Sequence, residues 1–499
     1  MKYGFLFGTG AEYAYKLPSG GLFALDIFRE DTTESKNDFK KMRENVAKTT
    51  SYAADWLPEN YWNKNISVFG KSVFQNIIKS TVEHRRSQIV HKVNGFNNDA
   101  KLAVNKLRAD ENLDVNKAFE ELLENKVTSV NLSQAIAYND AFKNGNELFK
   151  SNYFSALLLV YRDKKDESDR KLLGQMILSI MQLQIGALSE ELARSINDNL
   201  FKMKDENIDL FEDFGELIKL NYNAAGVSGL DFLLEYPRFE AKTSYGVVLR
   251  FAQFLLEDIY SSVLDYKAVI DTYWHYIYKP SSDWAKFCKM AIFLLTVRRY
   301  IAKIGDRADK SNPNGYYNML QKSLDNGRYE LSAIATTNYN KIIQDVLGDR
   351  YPVTFLNGSV DLWYDPYLNK IGSKTELDNS EHHIIVPLIF TQSGTKPMTA
   401  ISMSEKYVDL YRKWKTSDAI VAAGFSFGTD DEHINGILRT LVNDDGKKLI
   451  VVTVQTSDNS DCEVVARKLK ISDLEKIEIK IVDGNGKINN IPWTDCLES

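Results

Sequence analysis

Four short stretches of the chain carry residue types that can do chemistry. The first is Gly8-Thr9-Gly10, set between the apolar runs KYGFLF and LFALDIF. Glycine lets backbone approach a phosphate closely, and a helix start supplies N–H donors and positive partial charge. The same two glycines can serve only to turn the chain. Glu12 stands close by, and its carboxylate would repel a diphosphate and suit a ribose hydroxyl better. The second stretch is Thr336-Thr337-Asn338-Tyr339-Asn340. A carboxamide there can orient a sugar hydroxyl or a water through directional hydrogen bonds. Equally, Asn338 and Asn340 can cap a helix starting at Lys341, and residue types alone leave the two readings level. The third stretch is Leu356-Asn357-Gly358-Ser359. The fourth is Gly424-Phe425-Ser426-Phe427-Gly428, with Asp430, Asp431, Glu432 and His433 after it. Ser426 can hydrogen-bond a ligand, Asp430 or Asp431 can cap a helix, and His433 reads first as structural. His382-His383 has no third ligand at a recognisable spacing, so no metal site is expected.

Each stretch follows an apolar run, which gives the elements that must position it. GFLF precedes the glycines, Ala333 to Thr337 leads into the second stretch, Val353 to Leu356 into the third, and Ala419 to Ala423 into the fourth. Ile384 to Phe390, Leu449 to Val454 and Ile477 to Val482 are similar runs. Most are continuous rather than alternating, as in strands buried on both faces of a parallel sheet. Helical segments such as Ser404–Lys415 and Glu432–Val442 lie between them, and strand-helix alternation argues for an α/β domain. In such sheets the carboxyl ends of the strands form the ligand crevice.

The intervening sequence has a different texture. Phe74, Ile78 and Val82 recur at four-residue spacing with Val73 and Ile77 alongside, and Val247, Val248, Phe251, Leu255 and Ile259 repeat the pattern. These are one-sided stripes of the 3.6 period. No proline lies between Pro58 and Pro237, which suits a large helical body. Breaks are expected at Asn94–Asn98, Asn144–Asn146 and Ser311–Gly315. The fold class expected is therefore α/β, a Rossmann-like parallel sheet split between residues 1–36 and 330–499, with an all-helical insertion over 37–329. The aromatic run Tyr273-Trp274-His275-Tyr276-Ile277-Tyr278 within it reads as core before interface.

Composition bounds the function. The chain has 499 residues, 44% hydrophobic and 26% charged, with 62 basic and 68 acidic side chains for a net charge of −6. That balance excludes a disordered chain and argues against direct nucleic-acid binding by bulk charge. Cys288, Cys462 and Cys496 make no disulfide framework, which points to a reducing compartment. Leu172 to Ser189 is free of charge but carries Gln175, Gln182 and Gln184, so a buried helix is expected there rather than a membrane span.

Taken in order, the four stretches resemble the sirtuin-like NAD-hydrolase family, in particular its bacterial anti-phage defence branch. That family shows Gly-Ala-Gly where this chain has Gly8-Thr9-Gly10, and Thr-Asn-Tyr-Asp where it has Thr337-Asn338-Tyr339-Asn340. Leu-His-Gly-Ser corresponds to Leu356-Asn357-Gly358-Ser359, and an Asp-x-His-Ile-Asn run after Gly-Phe-Ser-Phe corresponds to Asp431–Asn435. The matches cover about the first 30 residues and residues 330 to 455.

The resemblance implies a sirtuin-like sheet that binds NAD+ as substrate and cleaves the nicotinamide–ribose bond, giving nicotinamide and ADP-ribose. Asn338 would position ribose and water, and Gly8, Thr9 and Gly10 would hold the diphosphate. Glu12, Thr337, Tyr339 and Gly424 would complete the binding set, with Ser426 near the adenosine. Asn357 occupies the position of the family's histidine, and Asn340 that of its aspartate. A carboxamide cannot act as a general base. The chain is therefore expected to hydrolyse weakly or not at all, as a natural variant or an inactivated form. Deacetylation is not expected, because the four-cysteine zinc module of sirtuin deacetylases is missing. The resemblance further implies a cytoplasmic bacterial protein, held inactive until infection through homo-oligomerisation, a defence-system partner or a phage-derived activator. Family partners include helicase-type ATPases, argonaute-type proteins and phage structural proteins. The alternative is a non-catalytic sensor of NAD+ or an ADP-ribose derivative that regulates a partner.

Overall fold

The computed structural model describes residues 1–18, 20–132, 136–138, 147–187, 201–203, 226–262, 264, 266–389, 398–455 and 457–498. The chain forms two compact units. One comprises Met1–Pro18, Glu30–Phe69 and Ile270–Ser499; the other comprises Ser19–Arg29 and Gly70–Val269.

The first unit holds nine strands that matter here: β1 (Lys2–Phe7), β2 (Glu330–Thr336), β3 (Val353–Phe355), β4 (Gly358–Asp365), β5 (Lys370–Gly372), β6 (Val386–Ile389), β7 (Ala419–Ala423), β8 (Lys448–Val454) and β9 (Ile477–Val482). Six of them make one sheet in the order β9-β8-β7-β1-β2-β3, with every neighbouring pair parallel. Counted along the chain, this is the Rossmann-like arrangement, and its order reverses between β1 and β7. The continuous apolar runs follow from burial on both faces. Tyr3, Phe5, Phe7, Val421 and Ile450 enter one core, and Leu6, Ala335, Ile420, Ala422 and Val451 enter the other. Gly4 is needed on the second face, because a Cβ there would meet the Trp414 ring at 2.3 Å.

One expected strand belongs elsewhere. Within the Ile384–Phe390 run, Val386–Ile389 is a strand, but it pairs antiparallel with β4, which also pairs with β5; Phe390 lies outside the described residues. The strand that Val386–Ile389 joins, β4, is itself kept off the parallel sheet beside β3 by chain length. Leu356 and Asn357 alone separate β3 from β4, and a parallel pairing needs a crossover of a dozen residues or so. Gly358 takes φ +88, and a Cβ on it would lie 2.0 Å from the Leu388 carbonyl oxygen. The turn and the strand contact both require glycine.

The sheet-bearing unit also takes in helices from the stretch expected to be the insertion. Arg299, on the helix Trp284–Arg307, pairs with Glu34 and with Asp38 (2.6 Å), and Lys303 pairs with Glu30 at 2.6 Å. Tyr317, on the helix Tyr316–Asp325, sets its ring edge-on to Phe7 with centroids 5.1 Å apart. In the aromatic run, Trp274 and Ile277 are buried and Trp274 stacks on Tyr364. By compactness the chain passes between the units after Pro18, Arg29, Phe69 and Val269.

The second unit is built from helices, among them Lys71–His84, Phe96–Glu111, Val115–Leu123, Glu167–Ala187 and Ser244–Ser261. Phe74, Ile77 and Ile78 are buried, as are Val248, Phe251, Leu255 and Ile259. The expected break at Asn94–Asn98 narrows to Gly95 between two helices, and Ser311–Gly315 is irregular. Asn144–Asn146 lies outside the described residues. The region is not all helical, since Ile136–Tyr138 pairs antiparallel with Phe201–Met203. Among the described residues no helix is long and apolar enough to cross a membrane.

A buried ion network ties this unit together. Arg250 meets Glu111 at 2.9 and 3.2 Å and Glu257 at 3.4 Å, and Glu257 also takes Arg29 at 3.0 Å. Hydrogen bonds to charged groups contribute about 1.5–3 kcal/mol. Glu257→Gln keeps the shape and removes the charge, so a loss of about 2 kcal/mol is expected in urea unfolding. An unchanged midpoint and slope would show that solvent screens the network.

Candidate functional site

At the carboxyl edge of the sheet, β1 runs into Gly8 and β7 into Gly424. The Gly8 N–H donates to the Ala423 carbonyl (3.1 Å), Gly10 to Gly424 (2.9 Å) and Gly424 to Val452 (3.1 Å). A Cβ on Gly8 would lie 2.5 Å from the Gly424 oxygen, and one on Gly10 2.8 Å from the Gly424 Cα. Glycine thus lets two loops cross in backbone contact at the point where strand order reverses. Gly8 and Gly10 are the residues expected to hold a diphosphate, and their N–H groups are engaged within the crossing. Nor does an α-helix open there. Thr9–Tyr15 is a 3-10 segment, and the next α-helix is Gly20–Arg29. Thr9 is exposed.

Behind the crossing lies a buried polar network. Glu12 is 4% exposed. Its Oε1 accepts from the Tyr317 hydroxyl (3.1 Å) and its Oε2 from Asn340 Nδ2 (2.6 Å). Both carboxylate oxygens therefore have protein donors. Asn338 Nδ2 donates to the Gly8 carbonyl (3.1 Å) and to the Tyr317 hydroxyl (3.2 Å). Thr337 N–H donates to the Phe7 carbonyl, and the Tyr339 carbonyl accepts from Val360. The capping alternative divides between the two asparagines. Asn340 Oδ1 accepts from Ile342 N–H at the start of the helix Ile342–Leu347, whereas Asn338 faces the network. Asn338 is 2% exposed, and its Oδ1 has no hydrogen-bond partner among the described residues.

Burial pushes the Glu12 carboxyl up to about 7, against the opposing hydrogen bonds from Asn340, Tyr317 and Asn338. The folded chain thus holds this proton more tightly than the unfolded one. The contribution to stability is full below an ordinary carboxyl value of 4.5 and is lost as pH rises through about 7. Each tenfold gain in proton affinity is worth about 1.4 kcal/mol, so the wild type should lose on the order of 3 kcal/mol between acid and neutral pH. Glu12→Gln should flatten that slope in urea titrations across the range; equal slopes would mean that Glu12 is not protonated in the fold.

Asn357 belongs to a second cluster. Its Nδ2 donates to Asp431 Oδ1 (2.9 Å), and its Oδ1 faces His433 Nε2 (3.2 Å). Asp431 precedes the helix Glu432–Asn443 but makes no side-chain cap bond there. Burial lowers the His433 pKa below the ordinary imidazole value, with the Asp431 charge opposing. Gly424 sits in the loop crossing. Ser426 has an exposed side chain, and its carbonyl accepts from Asn459 and from Lys468 Nζ (both 3.3 Å). Asn435 Nδ2 donates to the Gly428 carbonyl (2.9 Å), and its buried Oδ1 is again without a partner among the described residues. His383 uses both ring nitrogens on carboxylates, Asp365 (2.6 Å) and Glu381 (3.0 Å). Among the described residues no group of His, Cys, Asp and Glu side chains is arranged to hold a metal ion.

The structure therefore gathers Gly8, Glu12, Asn338 and Asn340 around Tyr317. It sets Asn357 with Asp431 and His433, and leaves Ser426 beside Asn459 and Lys468. Tyr317 and Lys468 join the site without any mark in the sequence, and Asp431 and His433, expected as a helix cap and a structural histidine, join it through Asn357. Chemically, the edge offers a buried carboxamide oxygen, a carboxyl that changes charge near neutrality and a neutral imidazole. The fold and site define a Rossmann-like α/β protein with a polar carboxyl edge. Comparison with known proteins finds no matching family model, curated protein or solved structure.

Proposed function

We propose that this chain is an NAD+ glycohydrolase of bacterial antiviral defence, which releases nicotinamide and ADP-ribose and so depletes cytoplasmic NAD+. The observation that carries the reading is the Asn338 amide at the carboxyl end of β2 in a Rossmann-order sheet, bonded to the Gly8 carbonyl that follows β1 beside the reversal point. Its Nδ2 is held by Gly8 and Tyr317, and its buried Oδ1 has no protein donor among the described residues. Such an oxygen suits a hydroxyl donor, as on a ribose. The reaction turns a cationic leaving group neutral and builds positive charge on the ribose. Catalysis then needs a held ribose, a polar site and an admitted water.

Thr9 and Ser426 are exposed at this edge and would take the diphosphate and adenosine, and the half-buried Lys468, whose ammonium donates to the Ser426 carbonyl and to Asn459, is the cation beside Ser426. The second reading is a sensor of NAD+ or an ADP-ribose derivative. It draws on the engagement of the Gly8 and Gly10 N–H groups inside the fold and on carboxamides at 340 and 357. Oligomerisation or a partner protein would control either activity. The test is nicotinamide release from NAD+ by the full chain, alongside calorimetric binding of NAD+ and ADP-ribose. Release supports the first reading, binding without release supports the second, and neither binding nor release removes both.

A further inference from the structure

We infer that His433 accepts the proton of the attacking water, with Asn357 and Asp431 as positioning residues that hold its ring in one tautomer. The inference rests on the glycohydrolase reading above and assigns the base that the strand-end carboxamide itself cannot be.

The bonds fix the direction of every group. An ionised carboxylate only accepts, so the Asn357 Nδ2 points at Asp431 Oδ1 (2.9 Å) and the Asn357 Oδ1 is turned toward His433 (3.2 Å to Nε2). An amide oxygen also only accepts. The ring nitrogen facing it must therefore carry hydrogen, which leaves Nδ1 of a neutral imidazole with its lone pair. Burial favours that neutral form. Tyr407 holds the ring edge-on, with centroids 5.6 Å apart and an 83° interplanar angle. The Tyr407 hydroxyl is itself tied to the Leu356 carbonyl at 2.6 Å, one residue before Asn357.

The backbone brings this assembly to the Asn338 segment. Leu356 N–H donates to the Thr336 carbonyl and Val360 N–H to the Tyr339 carbonyl, each at 2.9 Å. Asn357 and Asn338 thus lie on segments bonded together on both sides. In the reaction the C1′–N1 bond breaks with its electron pair passing to the nicotinamide nitrogen. The water oxygen bonds to C1′, and the water proton passes to His433 Nδ1 and then to solvent. The products are nicotinamide, ADP-ribose and one proton.

The test uses the full chain and four forms: wild type, His433→Gln, Asn357→Leu, and the double variant Asn357→His with His433→Gln. Nicotinamide release and NAD+ affinity are measured separately, and the histidine tautomer is read by nitrogen-15 NMR. His433→Gln should lose on the order of 10²-fold in release or more, as for loss of a general base, while affinity stays nearly unchanged. Asn357→Leu should lose less. The double variant should recover part of the loss, because an imidazole returns at the strand end. The wild-type ring should carry its hydrogen on Nε2.

Release by His433→Gln at the wild-type rate overturns the inference and leaves the glycohydrolase reading standing. An Nδ1–H tautomer overturns it without any turnover measurement. Wild type that binds NAD+ but never releases nicotinamide overturns it in favour of the sensor. Wild type that does not bind NAD+ overturns the glycohydrolase reading itself.

Discussion

Asn338→Ala should abolish nicotinamide release while the chain stays folded. The side chain donates to Gly8 and Tyr317 and is almost wholly buried. Each such bond has a net worth of about 1 kcal/mol, so truncation should cost roughly 2–3 kcal/mol with the buried partners it leaves unpaired counted. That is a fraction of the stability of a domain this size. Turnover should respond far more. Removing one preorganised electrostatic group typically costs about 10²–10³ in rate, and Asn338 would orient both ribose and water. Asn338→Asp tests the chemistry further. It keeps the shape but replaces the Nδ2 donor with an acceptor beside the Gly8 carbonyl, so release should be lost there too. Release by Asn338→Ala at the wild-type rate, with circular dichroism unchanged, would move the catalytic centre elsewhere. Complete unfolding would make the residue a structural one, with a contribution well beyond that of the two bonds it donates.

The parts of this site that the sequence exposes are those whose constraints are local. Asn338, Asn340 and Asn357 stand at strand ends because the apolar runs before them stop there, and that is visible without coordinates. So is the split of the sheet, since GFLF needs parallel neighbours that the next three hundred residues do not supply. What resists reading is pairing across long separations. Tyr317 reaches Glu12 from 305 residues away, on a helix whose periodicity matches the helices of the other unit. Asp431 and His433 meet Asn357 across 74 and 76 residues, and a histidine at a helix start has no local mark of its partner. A signal did exist for the first pair. A carboxylate such as Glu12, flanked by Ala11 and Tyr15 in the buried wall behind β1, needs donors from somewhere. The antiparallel strand Val386–Ile389 escapes the sequence for a related reason. Its composition matches a parallel core strand, and only the two-residue link between β3 and β4 betrays the change of sheet.

Gly424→Ala should be the most destabilising single-methyl change at this edge, at more than about 4 kcal/mol. Two effects combine. Gly424 has φ +62, where a side chain costs roughly 1–2 kcal/mol. The added Cβ would also lie 2.2 Å from the Ala11 nitrogen and 2.5 Å from the Gly10 carbonyl carbon. Both atoms are backbone, so rotamer change cannot relieve the overlap. The loops must separate, which breaks the Gly10–Gly424 and Gly8–Ala423 hydrogen bonds at about 1 kcal/mol each and leaves buried groups unpaired. Gly428→Ala supplies the control. Its φ is −65, and its Cβ would meet only the Ser426 hydroxyl at 3.5 Å, so a change within about 0.5 kcal/mol is expected. Urea unfolding of both variants decides the matter. Equal midpoints would mean that the β1 and β7 loops do not cross in contact, and the crevice at the reversal point would have to be redrawn. A large gap confined to Gly424 would show that glycine here serves loop packing first. The same packing then fixes where Asn338, reached through the Gly8 carbonyl, presents its oxygen.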